Sequence, residues 1–147
     1  MQHRASPLEA ARAVGRIQPG GEWVGFGRRG DAWCYVVGTD RAVLDAPADE
    51  DLLLALAIGH FAGAFAEAPP DLEATQSDLS ALVRHLIETQ PEMPRRALLT
   101  EALDAIDDGL AGDAVAGRLA AARAPDNDRV DPVERVLAAA RELTAGS

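Results

Sequence analysis

Small side chains dominate the apolar part of this 147-residue sequence. Of its 70 apolar residues, 30 are Ala and 17 are Leu, whereas aromatic residues make up only 4%. Ala and Leu are strong helix formers, and Ala lets helix backbones approach closely in a dense interior. The composition therefore predicts a mainly helical core and argues against an all-β sandwich or barrel.

Residues that favour strands are confined to a short stretch near the N-terminus. Residues 22–28, 32–38 and 42–44 form three β-prone runs, and turn residues 29–31 join the first two. We expect a three-stranded antiparallel meander. The middle run is predicted to be the central strand because side chains on both of its faces are apolar. One face carries Trp33, Tyr35 and Val37, and the other carries Cys34 and Val36.

The remaining segments show helical patterns. Ser6 and Pro7 are typical of a helix start, and we expect this first helix to reach Ile17 and to stop at Pro19 and Gly20. An uncharged apolar run, 52–66, is too short for a membrane span and is interpreted as a buried helix. A further helix is expected after Pro70 with Leu72 on its inward face, and the residues expected to begin the later helices are Pro94, Asp113 and Asp131.

The predicted fold class is α+β. The meander near the N-terminus is expected to pack against about five to six helices, with a predominantly helical C-terminal two thirds. The length fits a single domain, 1–147, in which 1–45 holds the first helix and the meander. Residues 46–124 would form the helical core, and 125–147 a loop and the last helix.

Charge is unevenly distributed. Residues 1–44 carry six Arg and four acidic residues, 45–92 carry one Arg and ten, and 93–147 carry seven Arg and ten. The net charge of −10 repels phosphate backbones and anionic membranes, so we expect neither nucleic acid nor membrane partners. The acidic middle segment is either a solvated surface or a docking face for a basic protein. The residues proposed for docking are Asp45, Asp49, Glu50, Asp51, Trp23 and Trp33.

Small residues recur at a spacing of four within the buried helix. Ala55, Gly59 and Gly63 would let another backbone come close, either within the chain or across a subunit contact. A homo-oligomer is therefore expected. His60 lies in the same helix, and a lone histidine there is usually packed with one ring nitrogen bonded to a carbonyl.

The absence of Lys removes several chemistries at once. All 14 basic residues are Arg, so a Schiff-base lysine and a phosphate-binding lysine are excluded. Residues 25–30 match G-x-G-x-x-G, but a strand pattern follows where a dinucleotide site needs a helix. We interpret these glycines as part of a hairpin and expect no cofactor.

A small enzyme is the alternative hypothesis. Cys34 would be its nucleophile if His60 or His85 came within hydrogen-bond reach, although a cysteine between aromatic residues is usually a buried apolar side chain. A second alternative is an acidic inhibitor, an immunity protein or DNA mimic. The acidic cluster that raises the question of a cation site lacks ligand spacing and is interpreted as a solvated face; it comprises Glu101, Asp104, Asp107, Asp108 and Asp113.

The order helix, three strands, helix over residues 6–68 resembles the opening of type III secretion chaperones and related adaptors. The resemblance implies a small acidic dimer that acts on partner segments. The missing catalytic set and the uneven charge pattern favour a non-enzymatic protein-protein interaction module, such as an adaptor, a secretion-chaperone-like protein or a regulatory subunit. A single cysteine and no export signal in residues 1–7 predict a cytoplasmic location.

Overall fold

The computed structural model describes residues 8–17, 21–127 and 129–145. A sheet built from the N-terminal third is followed by helices that reach to residue 145. The fold is therefore α+β, with four strands and five helices in the described residues. The elements are β1 (Leu8–Arg16), β2 (Trp23–Arg29), β3 (Ala32–Gly38), β4 (Val43–Pro47), α1 (Glu50–Phe61), α2 (Gln76–Thr89), α3 (Met93–Asp107), α4 (Gly112–Ala121) and α5 (Pro132–Ala145).

The four strands form one antiparallel sheet in the order β1-β2-β3-β4. The predicted meander corresponds to β2, β3 and β4, and β3 lies between two neighbours as its two apolar faces indicated. Among the described strands, β4 has a neighbour on one side only, so it is an edge of the sheet.

The prediction of a helix over residues 8–17 is wrong, because this segment is β1. A helix this short has marginal stability in isolation. Pairing with other segments therefore decides whether these residues form a helix or a strand. β1 pairs with β2 along one edge, while Ala13 on its other edge donates to the Leu72 carbonyl at 2.7 Å and accepts from Ala74 at 2.9 Å. The helix start expected at Ser6 and Pro7 and the stop at Pro19 and Gly20 lie outside the described residues.

The two faces of the sheet contact different parts of the chain. Tyr35 and Val37 of β3 face α1 and belong to the main core. Val36 points the opposite way and packs with Trp23 in a smaller cluster that Leu72 covers. Leu72 was expected on the helix that follows Pro70, but it precedes α2 and contacts the sheet instead.

The ends of the helices follow known capping patterns. Asp49 caps α1, and its side chain accepts from the Leu52 amide at 2.8 Å. Thr75 and Asp78 form a capping box at the start of α2. The cap expected at Asp113 is wrong, because the N-cap of α4 is Ala111 and no side chain bonds there.

The last helix is anchored on both the sheet and α1. Val136 and Ala140 of α5 are buried, and the Tyr35 hydroxyl donates to the Val136 carbonyl at 3.1 Å. Asp131 accepts from the Val133 amide at 2.8 Å in the first turn, in keeping with the predicted cap. None of the described helices has the length and apolar character needed to cross a bilayer.

Candidate functional site: the groove between β4 and α5

A groove of about 570 Å³ runs between the edge strand β4 and helix α5. Its apolar lining includes Val43, whose exposed fraction of 53% is high for a valine. The groove combines a free sheet edge with an apolar wall. The lining residues are Tyr35, Val43, Leu44, Asp45, Ala46, Pro47, Asp49, Leu52, Arg135, Ala139, Glu142 and Leu143.

The hydrogen-bond phase of β4 determines which main-chain groups face the groove. Thr39 donates to the Ala42 carbonyl at 2.8 Å, and Ala48 donates to the Trp33 carbonyl at 3.2 Å. In an antiparallel ladder, bonded pairs alternate, so Leu44 and Ala46 direct their amides and carbonyls toward β3.

The intervening residues, Val43 and Asp45, therefore direct their N–H and C=O groups away from the sheet. Pro47 has the same orientation but supplies only a carbonyl. In the described part of the chain, no backbone hydrogen bond satisfies these groups. β4 thus offers donors and acceptors in the spacing that another strand requires.

Asp45, one of the predicted docking residues, lies on the groove and is held by Arg29. The Arg29 Nε and Nη2 atoms donate to the two carboxylate oxygens at 2.6 and 2.9 Å. This bidentate hydrogen bond holds the pKa of Asp45 below its usual value, so the carboxylate stays ionised.

Asp49 and Asp51 also pair within the chain. Arg135 of α5 contacts both carboxylates, at 2.9 Å for Asp49 and 3.3 Å for Asp51. Asp51 further accepts from Arg123, which is buried. Asp49 keeps an exposed side-chain fraction of 63%, whereas Asp51 is enclosed. These acids connect α1 to the C-terminal part of the chain, and only Asp49 remains open to a partner.

Glu50 and Glu142 also differ in their contacts with other side chains. Glu50, another predicted docking residue, accepts from the Gln90 side chain at 3.3 Å. Glu142 is exposed on α5 at the groove and has no ion pair within the described residues. Sequence reasoning missed Glu142 and the apolar wall, because the proximity of α5 to β4 is a long-range contact.

The two tryptophans proposed for docking are mainly structural. Trp23 is 8% exposed, and its indole occupies the space in front of Gly38. Trp33 is half-buried and stacks on His85, with ring centroids 4.9 Å apart. Neither side chain lines the β4–α5 groove.

Of the three small residues expected on one helix, Ala55 and Gly59 lie on α1 and Gly63 lies beyond its end. Ala55 is fully buried, and the ring of Phe65 fills the space in front of Gly59. Gly63 has a φ of +67° and follows the C-cap of α1, where a left-handed residue closes the helix. Contacts within the chain thus account for Ala55 and Gly59, whereas a Cβ on Gly63 would meet nothing within 4 Å among the described residues; a subunit contact remains a prediction.

The glycines of the G-x-G-x-x-G match serve the sheet. A methyl group on Gly25 would overlap the Arg12 carbonyl, and one on Gly27 would meet Ala11 at 3.3 Å, so β1 lies close against β2. Gly30 has a φ of +58° in the two-residue turn that leads into β3. The predicted hairpin is thus present.

The residues of the enzyme hypothesis occupy different environments. Cys34 is 1% exposed on the face of β3 turned away from α1, and burial raises the pKa of its thiol. His60 of α1 bonds through Nδ1 to the Val14 carbonyl at 2.9 Å, which confirms its expected packing against a carbonyl. His85 stacks on Trp33, so these three residues do not form one pocket.

The acidic cluster near α3 contacts neighbouring side chains rather than forming a cage. Asp107 accepts from Ser80 at 2.7 Å and lies 3.6 Å from Arg84. Glu101 and Asp104 are exposed. Over the described ranges, no three or more His, Cys, Asp or Glu side chains are grouped so as to hold a metal ion.

A second cleft, of about 440 Å³, lies where β1 leads into β2 and β3 into β4. Arg16 and Arg41 line it together with Glu22 and Asp40, so its formal charges balance.

Comparisons with protein-family models, curated proteins and solved structures find no match to this chain.

Proposed function

We propose that this protein is a non-enzymatic interaction module that binds an extended segment of another protein along β4. The observation that carries the proposal is the outward orientation of the N–H and C=O groups of Val43 and Asp45, which lack backbone partners among the described residues. Strand addition to such an edge is a recurring mode of peptide recognition.

The groove supports this function by adding a surface for side chains. A strand placed beside β4 would lie about 4.8 Å from it, with alternate side chains turned toward α5. On that side it would meet Ala139 and Leu143, which line the groove. Main-chain bonds would supply affinity, and this apolar wall would supply selectivity.

A peptide-display selection tests the proposal. Random peptides are selected against the immobilised protein, and their affinities are measured for the wild type and for Val43→Pro. Proline at this position removes an outward N–H but no bond to β3, so the fold is retained while strand addition is impaired. We expect selected peptides to lose about tenfold or more in affinity.

A groove-filling variant gives an independent readout. Ala139→Phe should weaken the same peptides, whereas Ala97→Phe, on the exposed face of α3, should not. Thermal unfolding verifies that each variant is folded. The proposal is contradicted if no peptide is enriched, or if the enriched peptides bind both groove variants as well as they bind the wild type.

The acidic-inhibitor alternative makes a different prediction in this assay. Its partner would contact carboxylates over a broad surface, so affinity would depend on salt but not on Val43→Pro. Asp51 is less suited to that role because it is enclosed and Arg123 of the same chain already contacts it.

A further inference from the structure

We infer that the segment bound along β4 alternates apolar side chains with Arg or Lys. This inference rests on the proposed function and specifies the chemistry of its ligand. It follows from the different environments on the two sides of a strand added at this edge.

The side turned toward α5 is apolar. Within β4, Leu44 and Ala46 share this side with Tyr35 and Val37 of the main core. A neighbouring strand places its own side chains next to these residues and above Ala139 and Leu143. Every second residue of the ligand is therefore expected to be apolar.

The opposite side carries one carboxylate, Asp45, between Val43 and Pro47, and further carboxylates lie on the rim of the groove. Asp45 stands on the outer face of β4, and hydrogen bonds from Arg29 keep its carboxylate ionised and fixed in place. A residue directly across from it would be a cross-strand neighbour, for which an opposite charge is favourable and a like charge is not.

Two further carboxylates extend the negative potential along the groove. Glu142 has no ion pair in the described part of the chain, and Asp49 is largely exposed despite its bond to Arg135. Among the described residues, Asp45, Asp49 and Glu142 line the groove with Arg135, and Arg29 bonds to Asp45, so one negative charge remains in excess. The protein's net charge of −10 acts in the same direction at longer range.

Charge also favours this ligand over the alternative occupant of the groove, a second copy of the chain. A symmetric contact would bring the same groove from two protomers together, with its acidic residues on both sides. Like charges across an interface oppose binding. The alternating basic strand is thus the better electrostatic match.

Three synthetic hexapeptides test the inference: Arg-Val-Arg-Val-Arg-Val, Thr-Val-Thr-Val-Thr-Val and Glu-Val-Glu-Val-Glu-Val, each with capped ends and a fluorophore. Fluorescence anisotropy measures their Kd with the full chain. We expect the Arg peptide to bind at least about tenfold more tightly than the Glu peptide, with the Thr peptide between them. The advantage of the Arg peptide should shrink as salt is raised.

Charge-reversal variants test whether carboxylates at the groove cause the preference for the Arg peptide. Glu142→Arg should weaken the Arg peptide about three- to tenfold and strengthen the Glu peptide, since one exposed carboxylate is replaced by a cation. Glu101→Arg is the matched control, because it makes the same change of net charge on α3 away from the groove. This control should change the Kd less than twofold, as roughly expected for a screened distant charge.

The outcomes separate the inference from the proposed function. If all three peptides bind equally and all are weakened by Val43→Pro, the basic specificity is refuted while strand addition stands. Equal weakening by Glu142→Arg and Glu101→Arg would also refute the specificity, because it would show a general charge effect. If no peptide binds, or if Val43→Pro leaves binding unchanged, the proposed function itself fails.

Discussion

Arg123 and Asp51 form an almost fully enclosed ion pair. The arginine side chain is 2% exposed, and its Nη2 atom lies 3.0 Å from Asp51 Oδ1. Arg123 also donates to the Val130 carbonyl, so one guanidinium links the start of α1 to the segment that leads into α5. Asp51 was predicted from the sequence to be a docking residue. It instead helps to hold α5, the helix on one side of the groove, in place.

Loss of this arginine should strongly destabilise the protein. In Arg123→Met, the Asp51 carboxylate keeps Arg135 but loses its buried partner, and we expect the free energy of unfolding to fall by about 2–3 kcal/mol. Chemical denaturation measures the change. Arg118→Met, at an exposed arginine of α4, should cost less than about 0.5 kcal/mol. Equal effects of the two substitutions would contradict the structural role of Arg123.

Proline substitution at neighbouring positions reports the phase of β4. Val43→Pro removes a groove-facing N–H and should change the free energy of unfolding by less than about 1 kcal/mol. Leu44→Pro removes a bond to β3 and should cost about 3 kcal/mol or more. Leu44→Ala measures the contribution of the side chain alone. The assigned phase is wrong if Val43→Pro is the more damaging proline.

The stability of the protein should fall toward acidic pH partly through His85. Burial lowers the pKa of His85, although Glu88 and Glu50 act in the opposite direction. The unfolded chain takes up this proton near about pH 6.5 and the folded chain at lower pH, so the unfolded state gains protons first. His85 therefore contributes stability that is present above this interval and is lost as the pH falls through it.

Thermal unfolding of the wild type and His85→Asn at about pH 8 and about pH 5 measures this contribution. The variant should show a smaller loss of Tm between the two conditions. Glu88→Gln should show a larger loss of Tm. The Glu88 carboxylate raises the pKa of His85, so its removal lowers that pKa further. An unchanged loss in His85→Asn would assign the acid sensitivity to other groups.

Cys34 should resist alkylation in the folded protein. Its thiol is buried and has a raised pKa, so the reactive thiolate is scarce and inaccessible. We expect mass spectrometry to find no iodoacetamide adduct under native conditions and one adduct after denaturation. Rapid labelling of the native protein would restore the hypothesis of a nucleophilic cysteine.

Local patterns in the sequence predict much of the fold. Alternation between Tyr35 and Val36 correctly places β3 in the interior of the sheet, and Pro94 lies in the first turn of α3 as expected. β1 escapes prediction because the residue preferences of its Ala-rich sequence point to a helix. Bonds to β2 and to residues 72–74 override that preference.

The groove could be predicted only in part. Asp45 and Asp49 attract attention as members of an acidic run, and both line the groove. Their arginine partners could not be read from the sequence, since Arg135 lies 86 residues from Asp49. The direction of the Val43 amide likewise depends on the register between β3 and β4, which a run of β-prone residues does not define.

The shortness of β4 has a kinetic consequence. The strand has five residues, and its outward amides end at Asp45 because Pro47 has none to offer. A ligand can therefore form few main-chain bonds before it must leave the edge. Affinity within one family of ligands is set largely by the dissociation rate, so such complexes should have brief lifetimes and exchange readily. A binder of this kind suits a client that is picked up and handed on.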